Sequence, residues 1–316
     1  MRKRWRNILF ICAVLCVVFI GYTVTFAKKD KPEIVVVLKE SDIQYWKIVK
    51  AGAEKAFKDF GVQGKVVAPE TTYPAENQIR ILKNVLKEKP KALIVALTEP
   101  SITVPVLKEY KKNNIPVLLV DTGANWDGQT AFIGTDNPTL GRKAGELLAS
   151  MLQPGDKVAL IGGENSVFVE RSAGAKEALG AAGIGIVSEQ SGYNEIGGLK
   201  PVMENLLQAH PEIKGVFATD DIMALDALKV IEQKGLNIPV IGADGIIKLI
   251  DYIEKGTLTS TVAQNPYDMG YISVENAVKV IKGEKIPKRI DSGVDIITKD
   301  NAKEKLDFLE KVLKER

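Results

Sequence analysis

Three aspartates stand directly after apolar runs that are typical of buried strands, and a lysine follows a fourth run. They are Asp121 after IPVLLV, Asp220 after GVFAT, Asp244 after IPVIGA and Lys39 after IVVVL. Each aspartate taken singly is more often a helix N-cap or a turn residue. Because ligands of open parallel sheets bind beyond the carboxyl ends of the strands, the three aspartates together predict a cleft lined with hydrogen-bond acceptors.

The other reactive side chains exclude several chemistries. Cys12 and Cys16 lie in an N-terminal apolar stretch, so the rest of the chain has no thiol for a disulfide, a nucleophile or a zinc–thiolate cluster. The single histidine, His210, stands in an Ala-His-Pro loop, which argues against hydrolytic triads and most metal sites. No phosphate-binding glycine motif follows a strand. We therefore expect no cofactor, no metal and no enzyme, with a glycosidase pair of Asp121 and Asp244 as the one enzymatic alternative.

The net charge of +3 arises at the N-terminus. Four basic residues, Arg2, Lys3, Arg4 and Arg6, precede the apolar stretch with no acid among them, so 3 − 4 leaves about −1 for the rest of the chain. A near-neutral body lacks the basic surface that nucleic acids require, and we expect no nucleic-acid partner.

Residues 8–27 (ILFICAVLCVVFIGYTVTFA) form an uncharged apolar run behind that basic flank. Secretory signals have apolar regions of about 7–15 residues, whereas a membrane-spanning helix needs about 20, so an uncleaved membrane anchor is favoured. A cleaved signal peptide ending at Thr25-Phe26-Ala27 and a lipoprotein at Cys16 are the alternatives. In each case the chain from Lys28 onward is exported, to the outer face of the cytoplasmic membrane or to the periplasm.

After residue 32 the chain alternates between apolar strands and amphipathic helices. Strands that are apolar on both faces indicate a parallel sheet with helices on each side. The pattern occurs twice and predicts an α/β fold of two doubly wound parallel sheets. The strands are expected at 33–39, 65–70, 91–97, 115–121 and 130–136, then at 157–163, 184–192, 215–220 and 238–244, with an extended segment at 257–266.

Five segments carry a resemblance to a known family. They are IVVVLKESDIQYWKIVKAGAEKAFKDFG (34–61), IPVLLVD (115–121), VFATDDIMALDAL (216–228), VIGADG (240–245) and STVAQNP (260–266). In this order and spacing they resemble the periplasmic binding proteins of the ribose/allose/galactose type, over about residues 33–290. The effector domain of LacI-type repressors shares this fold, but those proteins begin with a DNA-reading helix-turn-helix where this chain has its apolar segment.

The resemblance implies a type I periplasmic binding protein, in which two lobes close on one sugar like a Venus flytrap. Three crossover segments should join the lobes, near Gly134–Asn137, Gln264–Pro266 and 290–294. The implied units are an anchor or signal at 1–32, an N-terminal lobe of 33–135 plus 266–292, and a C-terminal lobe of 136–265 plus 293–316.

The resemblance also implies that aromatic rings sandwich the sugar, whose axial C–H bonds form an apolar face. Tyr45 and Trp46 match an aromatic pair at the start of the first helix, and Tyr193 matches the ring that covers the sugar from the second lobe. From the residues alone, core packing is the better interpretation of Tyr45 and Trp46. A surface loop is the alternative for Tyr193.

Polar side chains are implied at the edge of the sugar. Lys39 would reach a hydroxyl, and Asp121 and Asp244 would accept paired hydrogen bonds. Arg171 would donate to ring and hydroxyl oxygens, since a planar guanidinium serves two adjacent oxygens at once. Gln264 would line the cleft at a crossover. A solvated charge is the alternative for both Lys39 and Arg171.

Two positions depart from the ribose-binding members that the chain resembles. Thr122 stands where they carry an arginine, and Asp220, the remaining site residue, stands where many carry asparagine. These differences remove a donor and add a group that only accepts hydrogen bonds, so they argue against strict ribose specificity.

The resemblance implies a monomeric receptor that binds a monosaccharide and whose closure is read by a membrane partner. An ABC permease is the favoured partner, and a membrane histidine kinase is the alternative. An autoinducer-type furanosyl binder is a further alternative, consistent with Lys39 and Asp121, but the Asp-Gln pair of such binders is not evident in 163–171.

Overall fold

The first sheet is built from short strands whose inner members are apolar on both faces. The computed structural model describes residues 33–70, 74–164, 166–191 and 198–314. All neighbouring strands of this sheet pair in parallel. In spatial order they are β12 (Arg289–Asp291), β5 (Ala131–Gly134), β4 (Val117–Val120), β3 (Ala92–Val95), β1 (Ile34–Val37) and β2 (Gly64–Val67).

Successive residues of these strands face two different helix layers. The layers consist of α1 (Gln44–Phe60) with α9 (Pro266–Ile281), and α2 (Pro74–Glu88) with α3 (Pro100–Lys112). Val36 packs with the first pair of helices, and its neighbour Val35 packs with the second pair. Burial on both faces is why these strands are continuous apolar runs in the sequence.

The second lobe contains two hydrogen-bonded sheets. The larger is parallel, in the order β7 (Gly185–Ser191), β6 (Lys157–Gly162), β8 (Ile213–Ala218) and β9 (Val240–Ile241). The smaller has the order β10 (Ala243–Asp244), β11 (Ser260–Gln264) and β13 (Val294–Thr298), and β13 runs antiparallel to β11.

The prediction of two doubly wound α/β lobes is confirmed, with one difference. The sequence indicated a single parallel sheet in the second lobe. The strand predicted at 238–244 is interrupted at Gly242, where an added Cβ would lie 2.3 Å from the Asp221 Oδ1 atom. The buried Asp221 carboxylate therefore occupies the space that a continuous strand with side chains would need.

Helices cover both faces of the second lobe. One face carries α4 (Asn137–Ala149) and α5 (Ser166–Ala181); the other carries α6 (Leu199–Ala209), α7 (Asp221–Gln233), α8 (Ile247–Glu254) and α10 (Lys299–Lys314). Helices α4 and α5 cross at very close range. A Cβ on Gly141 would lie 1.9 Å from the Arg171 carbonyl oxygen, and one on Gly174 would lie 2.1 Å from that of Pro138. These glycines let α5 approach α4 and so fix the position of Arg171.

Three segments connect the lobes, and hydrogen bonds link the first to the third. They are 135–136 between β5 and α4, Asn265 between β11 and α9, and 292–293 between β12 and β13. The Ser292 N–H donates to the Gly134 carbonyl oxygen at 3.0 Å, and the Asp136 N–H donates to Asp291 Oδ1 at 3.0 Å. Each segment falls within a predicted crossover, and the three-crossover fold is confirmed.

The C-terminal helix α10 touches both lobes. It packs against α8 of the second lobe and against α1 of the first. Lys305 Nζ donates to Asn265 Oδ1 at 3.1 Å and to Asp295 Oδ2 at 2.7 Å. The ring of Phe308 meets that of Tyr267 edge-on, with centroids 5.3 Å apart. Helix α10 therefore holds the second crossover from outside.

The predicted anchor or signal, residues 8–27, lies outside the described residues. Of the helices that the structure does describe, none combines the length and apolar character needed to cross a membrane.

Candidate functional site

Asp121 follows β4 at the carboxyl edge of the first sheet and binds three side chains. Its Oδ1 accepts a hydrogen bond from the Tyr45 hydroxyl at 2.9 Å. Its Oδ2 accepts from Lys39 Nζ at 3.1 Å and from Thr122 Oγ1 at 2.8 Å. The φ angle of Asp121 is 64°, a left-handed conformation. Such a conformation costs a non-glycine residue about 1 kcal/mol, and the three bonds offset that cost. The structure thus brings the predicted Lys39, Tyr45 and Asp121 together.

Trp46 lies beside this group but belongs to the core of the first lobe. Its side chain is 6% exposed and packs in the same cluster as Val49 and Met269. The Tyr45 ring meets it edge-on at 5.0 Å, and Lys39 Nζ lies 5.2 Å from its ring centroid. Core packing, the alternative for Trp46, is therefore what the structure shows, and a stacking contact with a ligand stays a prediction.

Arg171 lies on α5 and is only 2% exposed, so the alternative of a solvated charge is wrong. Its Nη1 donates to Asp244 Oδ1 at 3.0 Å and to the carbonyl oxygens of Thr219 at 2.7 Å and Ala243 at 3.3 Å. Its Nε donates to Asn137 Oδ1 at 3.1 Å. A buried guanidinium is tolerated because a carboxylate pairs with it and further acceptors satisfy its N–H groups.

Asp244 and Gln264 meet at the carboxyl edge of the smaller sheet. Gln264 Nε2 donates to Asp244 Oδ1 at 2.6 Å, and Gln264 Oε1 accepts from Thr135 Oγ1 at 2.7 Å. Asp244 is therefore the anion of the ion pair with Arg171, and Gln264 is bonded to that anion. Gln264 ends β11 next to the second crossover, as the resemblance implied.

Asp220 and Asp221 have separate roles at the start of α7. Asp220 is the N-cap, and its Oδ1 accepts from the Met223 N–H at 2.7 Å. The helix-cap alternative is thus correct for Asp220. Asp221, which the sequence reasoning did not select, is fully buried and accepts from the Ile246 N–H at 2.7 Å and from Thr261 Oγ1 at 3.2 Å. Asp221 therefore anchors the loop that follows Asp244.

The site has two half-sites, Lys39 with Tyr45 and Asp121, and Arg171 with Asp244 and Gln264. Burial governs the electrostatics of both. Burial, and then the Asp121 carboxylate, raises the pKa of Tyr45 well above its usual value. Asp244 and Arg171 also influence the pKa of Tyr45, so the two half-sites lie close enough to interact. Burial raises the pKa of Asp244 although Arg171 opposes that shift, and burial followed by the Asp244 charge raises the pKa of Asp221 to about 8.

These groups are suited to hydrogen bonding with a small polar ligand. Carboxylate oxygens accept from hydroxyl groups, and guanidinium and ammonium groups donate to hydroxyl and ring oxygens. Among the residues that the structure describes, no three His, Cys, Asp or Glu side chains are grouped so as to hold a metal ion.

Comparison with known proteins places this geometry in a family. Residues 34–285 match the family described as "Periplasmic binding protein domain". The chain belongs to this family. The family predicted from the five sequence segments is therefore confirmed.

Curated relatives of this periplasmic binding protein match it over most of their length. It is 29% identical to the ribose import binding protein RbsB of Escherichia coli K12, over 93% of this chain and 99% of that protein. It is 30% identical to the D-ribose/D-allose-binding protein of Pseudomonas aeruginosa PAO1, over 84% of this chain and 86% of that protein.

Solved structures of sugar-binding proteins have a fold similar to that of this chain. GanP, a glucose-galactose binding protein from Geobacillus stearothermophilus, has a TM-score of 0.75 at 30% identity and covers 86% of this chain and 99% of its own. A periplasmic solute binding protein of an ABC transporter from Actinobacillus succinogenes 130z, with bound D-allose, has a TM-score of 0.77 at 28% identity and covers 87% of this chain and 100% of its own.

The structure of this periplasmic binding protein also identifies polar residues that sequence reasoning missed. Thr135, Asn137 and Asp221 each bond to a predicted site residue or to the loop beside one. A signal for Asn137 was present, because it stands in the predicted first crossover. The remaining predicted residue, Tyr193, lies outside the described residues.

Proposed function

We propose that this periplasmic binding protein binds one monosaccharide between its lobes and delivers it to a membrane ABC importer. The observation that carries the proposal is the pair of polar half-sites, one in each lobe, at the carboxyl ends of the strands. Asp121 with Lys39 and Tyr45 ends the first sheet, and Asp244 with Arg171 and Gln264 ends the second lobe's sheet. Parallel sheets bind their ligands at this edge.

Closure follows from the division of the site between lobes. A ligand that contacts both half-sites binds the closed form better than the open form, and this difference drives the lobes together. A micromolar dissociation constant corresponds to about 8 kcal/mol. Hydrogen bonds to charged groups contribute about 1.5–3 kcal/mol each, so about four to six of them are sufficient after ordering costs.

The names of the relatives support a neutral sugar and an importer. They include ribose, allose and glucose-galactose binding proteins, and the E. coli relative is named an import binding protein. This favours the importer over the histidine kinase and over the furanosyl binder. Neighbouring genes for a permease and an ATPase would support the importer, whereas genes for a histidine kinase and a response regulator would support a sensor.

We further propose that the protein is exported, is held at the membrane by residues 8–27, and acts as a monomer without enzymatic activity. The N-terminal lobe comprises 33–135 plus 266–292, and the C-terminal lobe comprises 136–265 plus 293–316. Asp121 and Asp244 are each bonded to a cationic side chain, which supports ligand binding over a glycosidase role. Light scattering on the full-length chain in detergent should give one protein copy per particle, and labelled sugars incubated with it should be recovered unchanged.

Calorimetric titration of the full-length chain with D-ribose, D-allose, D-arabinose and D-galactose tests the proposal. We expect at least one sugar to bind with a micromolar or lower dissociation constant and to reduce the radius of gyration in X-ray scattering. Asp244→Asn should weaken that binding, while Asp226→Asn, which removes an exposed ion pair with Lys229, should leave it unchanged. No binding of any of the four sugars, or binding that leaves the scattering unchanged, would contradict the proposal.

A further inference from the structure

Asn137 connects the first crossover to the guanidinium of Arg171. It is the first residue of α4, directly after the N-cap Asp136, whose carboxylate accepts from the Thr139 N–H at 2.9 Å. Asn137 Oδ1 accepts from Arg171 Nε at 3.1 Å, and Asn137 Nδ2 donates to Glu170 Oε2 at 3.3 Å. The helix cap fixes the backbone of Asn137, so its amide is held at a defined place over α5.

The remaining bonds of Arg171 leave one direction open. Nη1 donates to Asp244 and to the carbonyl oxygens of Thr219 and Ala243. Within the described part of the chain, none of the hydrogen bonds of Arg171 uses Nη2. Because a guanidinium is planar, bonds at Nε and Nη1 fix the direction of Nη2. Nη2 is therefore the donor available to a ligand oxygen.

The same crossover also reaches the other partner of the ion pair. Thr135 bonds to Gln264 at 2.7 Å, and Gln264 bonds to Asp244 at 2.6 Å. With the Arg171–Asp244 and Arg171–Asn137 bonds, these contacts close a ring that begins and ends in residues 135–137. Both charges of the ion pair are thus bonded to residues 135–137, at the end of the first crossover, directly or through one side chain.

We propose that Asn137 is a positioning residue. It orients Arg171 toward the ligand and couples that orientation to the first crossover, which acts as a hinge between the lobes. The inference rests on the proposed function. Asn137 itself does not contact the ligand. Its Oδ1 fixes the rotation of the guanidinium, so that Nη2 faces the cleft when the hinge has the geometry seen here. Without that oxygen the buried Nε–H group would lack an acceptor. The guanidinium would then rotate to find another acceptor for Nε–H, and Nη2 would lose its contact with the ligand.

The test compares variants that keep or remove the oxygen at position 137. The probe is whichever of D-ribose, D-allose, D-arabinose and D-galactose binds the unmodified full-length chain most tightly in calorimetry. Asn137→Ala should weaken this binding about tenfold, the order of one hydrogen bond to a charged group. Asn137→Asp, made together with Glu170→Gln to avoid repulsion between two carboxylates, keeps the acceptor for Nε and should bind within about twofold of the unmodified chain.

Glu170→Gln alone is the matched control, because it alters the other partner of Asn137 and should also bind normally. The melting temperature of ligand-free Asn137→Ala should fall by no more than about 2 °C, the shift expected in a chain of this size for the loss of one hydrogen bond. Normal binding by Asn137→Ala, or binding by the Asp-containing variant that is as weak as that of the Ala variant, would overturn the inference. If the unmodified chain binds none of the four sugars, the proposed function fails, and the ligand-positioning role of Asn137 fails with it.

Discussion

The two half-sites each pair one cation with one aspartate, but they are built differently. Lys39 is 25% exposed and binds Asp121 with help from Tyr45 and Thr122, all within the first lobe. Arg171 is buried and bonds to α4, to two backbone carbonyl oxygens and to Asp244. The second half-site is therefore more deeply buried and more extensively bonded than the first, and we infer that it is the more rigid of the two. We infer that the second lobe sets the position of the ligand and that Lys39 adapts to it.

Replacing Arg171 should give the largest effect on sugar binding. Arg171→Ala leaves the Asp244 carboxylate without its cation, bonded only to Gln264, and removes the guanidinium from the carbonyl oxygens of Thr219 and Ala243. Loss of one partner of a buried ion pair destabilises a fold by about 3–5 kcal/mol, although protonation of Asp244 reduces this. We expect a loss of about 3 kcal/mol in urea unfolding and no measurable sugar binding. Arg171→Lys, which keeps the charge but not the fork, should recover stability more than affinity; equal recovery of both would contradict the rigid second half-site.

Variants of Trp46 test whether the aromatic residue beside the first half-site is structural. Because it is almost fully buried, Trp46→Ala should lower the free energy of unfolding by about 3–5 kcal/mol through the cavity it leaves. Trp46→Phe should restore most of the stability. If the sugar stacks on Trp46, the Phe variant should also restore affinity. Unchanged stability in Trp46→Ala would show that the side chain is not part of the core.

Asp221, the buried acid beside the second half-site, should make stability depend on pH. The pKa of Asp221 is about 8 in the fold, against an ordinary value of 3.8, so the folded state binds a proton that the unfolded state lacks between these values. Stability should therefore fall as the pH rises from about 4 to about 8 and then level off. Asp221→Asn should reduce this dependence in melting-temperature measurements at pH 6 and pH 9, leaving the contribution of Asp244. An identical dependence in the variant would exclude Asp221 as its source.

The smallest effect on stability is expected in the first half-site. Lys39→Met removes a partly exposed ion pair, which contributes less than about 1 kcal/mol to the free energy of unfolding. Affinity for the bound sugar should fall about tenfold if Lys39 reaches a hydroxyl. Calorimetry and urea unfolding on the same preparation measure both. A loss of stability as large as that of Arg171→Ala would remove the distinction between the two half-sites.

The sequence predicted the positions that depend on local pattern. Asp121 and Asp244 follow apolar strands, and the ends of strands are visible in hydrophobic periodicity. The alternating pattern predicted both lobes, and the resemblance to the family implied where the crossovers lie. The antiparallel pairing of β13 with β11 was not predicted, because α9 and β12 separate the two strands in the sequence.

Contacts between distant parts of the chain were not predictable in the same way. Arg171 resembles an ordinary helix charge until α4 and the Asp244 strand end enclose it, and Asn137 is 34 residues away from it. Asp221 was not selected because its neighbour Asp220 follows the strand directly and has the position of the helix N-cap. Trp46 lies on α1, and only the packing of α1 against α9 decides that it is buried.

Helix α10 ends the described chain beside the joint between the lobes, and this has a practical use. A polarity-sensitive dye attached to this helix would be carried by one lobe while lying close to the other. Since the chain contains no cysteine after Cys16, a single cysteine placed on α10 would be the only thiol outside the N-terminal stretch available for labelling. The protein is thus suited to conversion into an optical sensor in which sugar binding is read as a change in fluorescence.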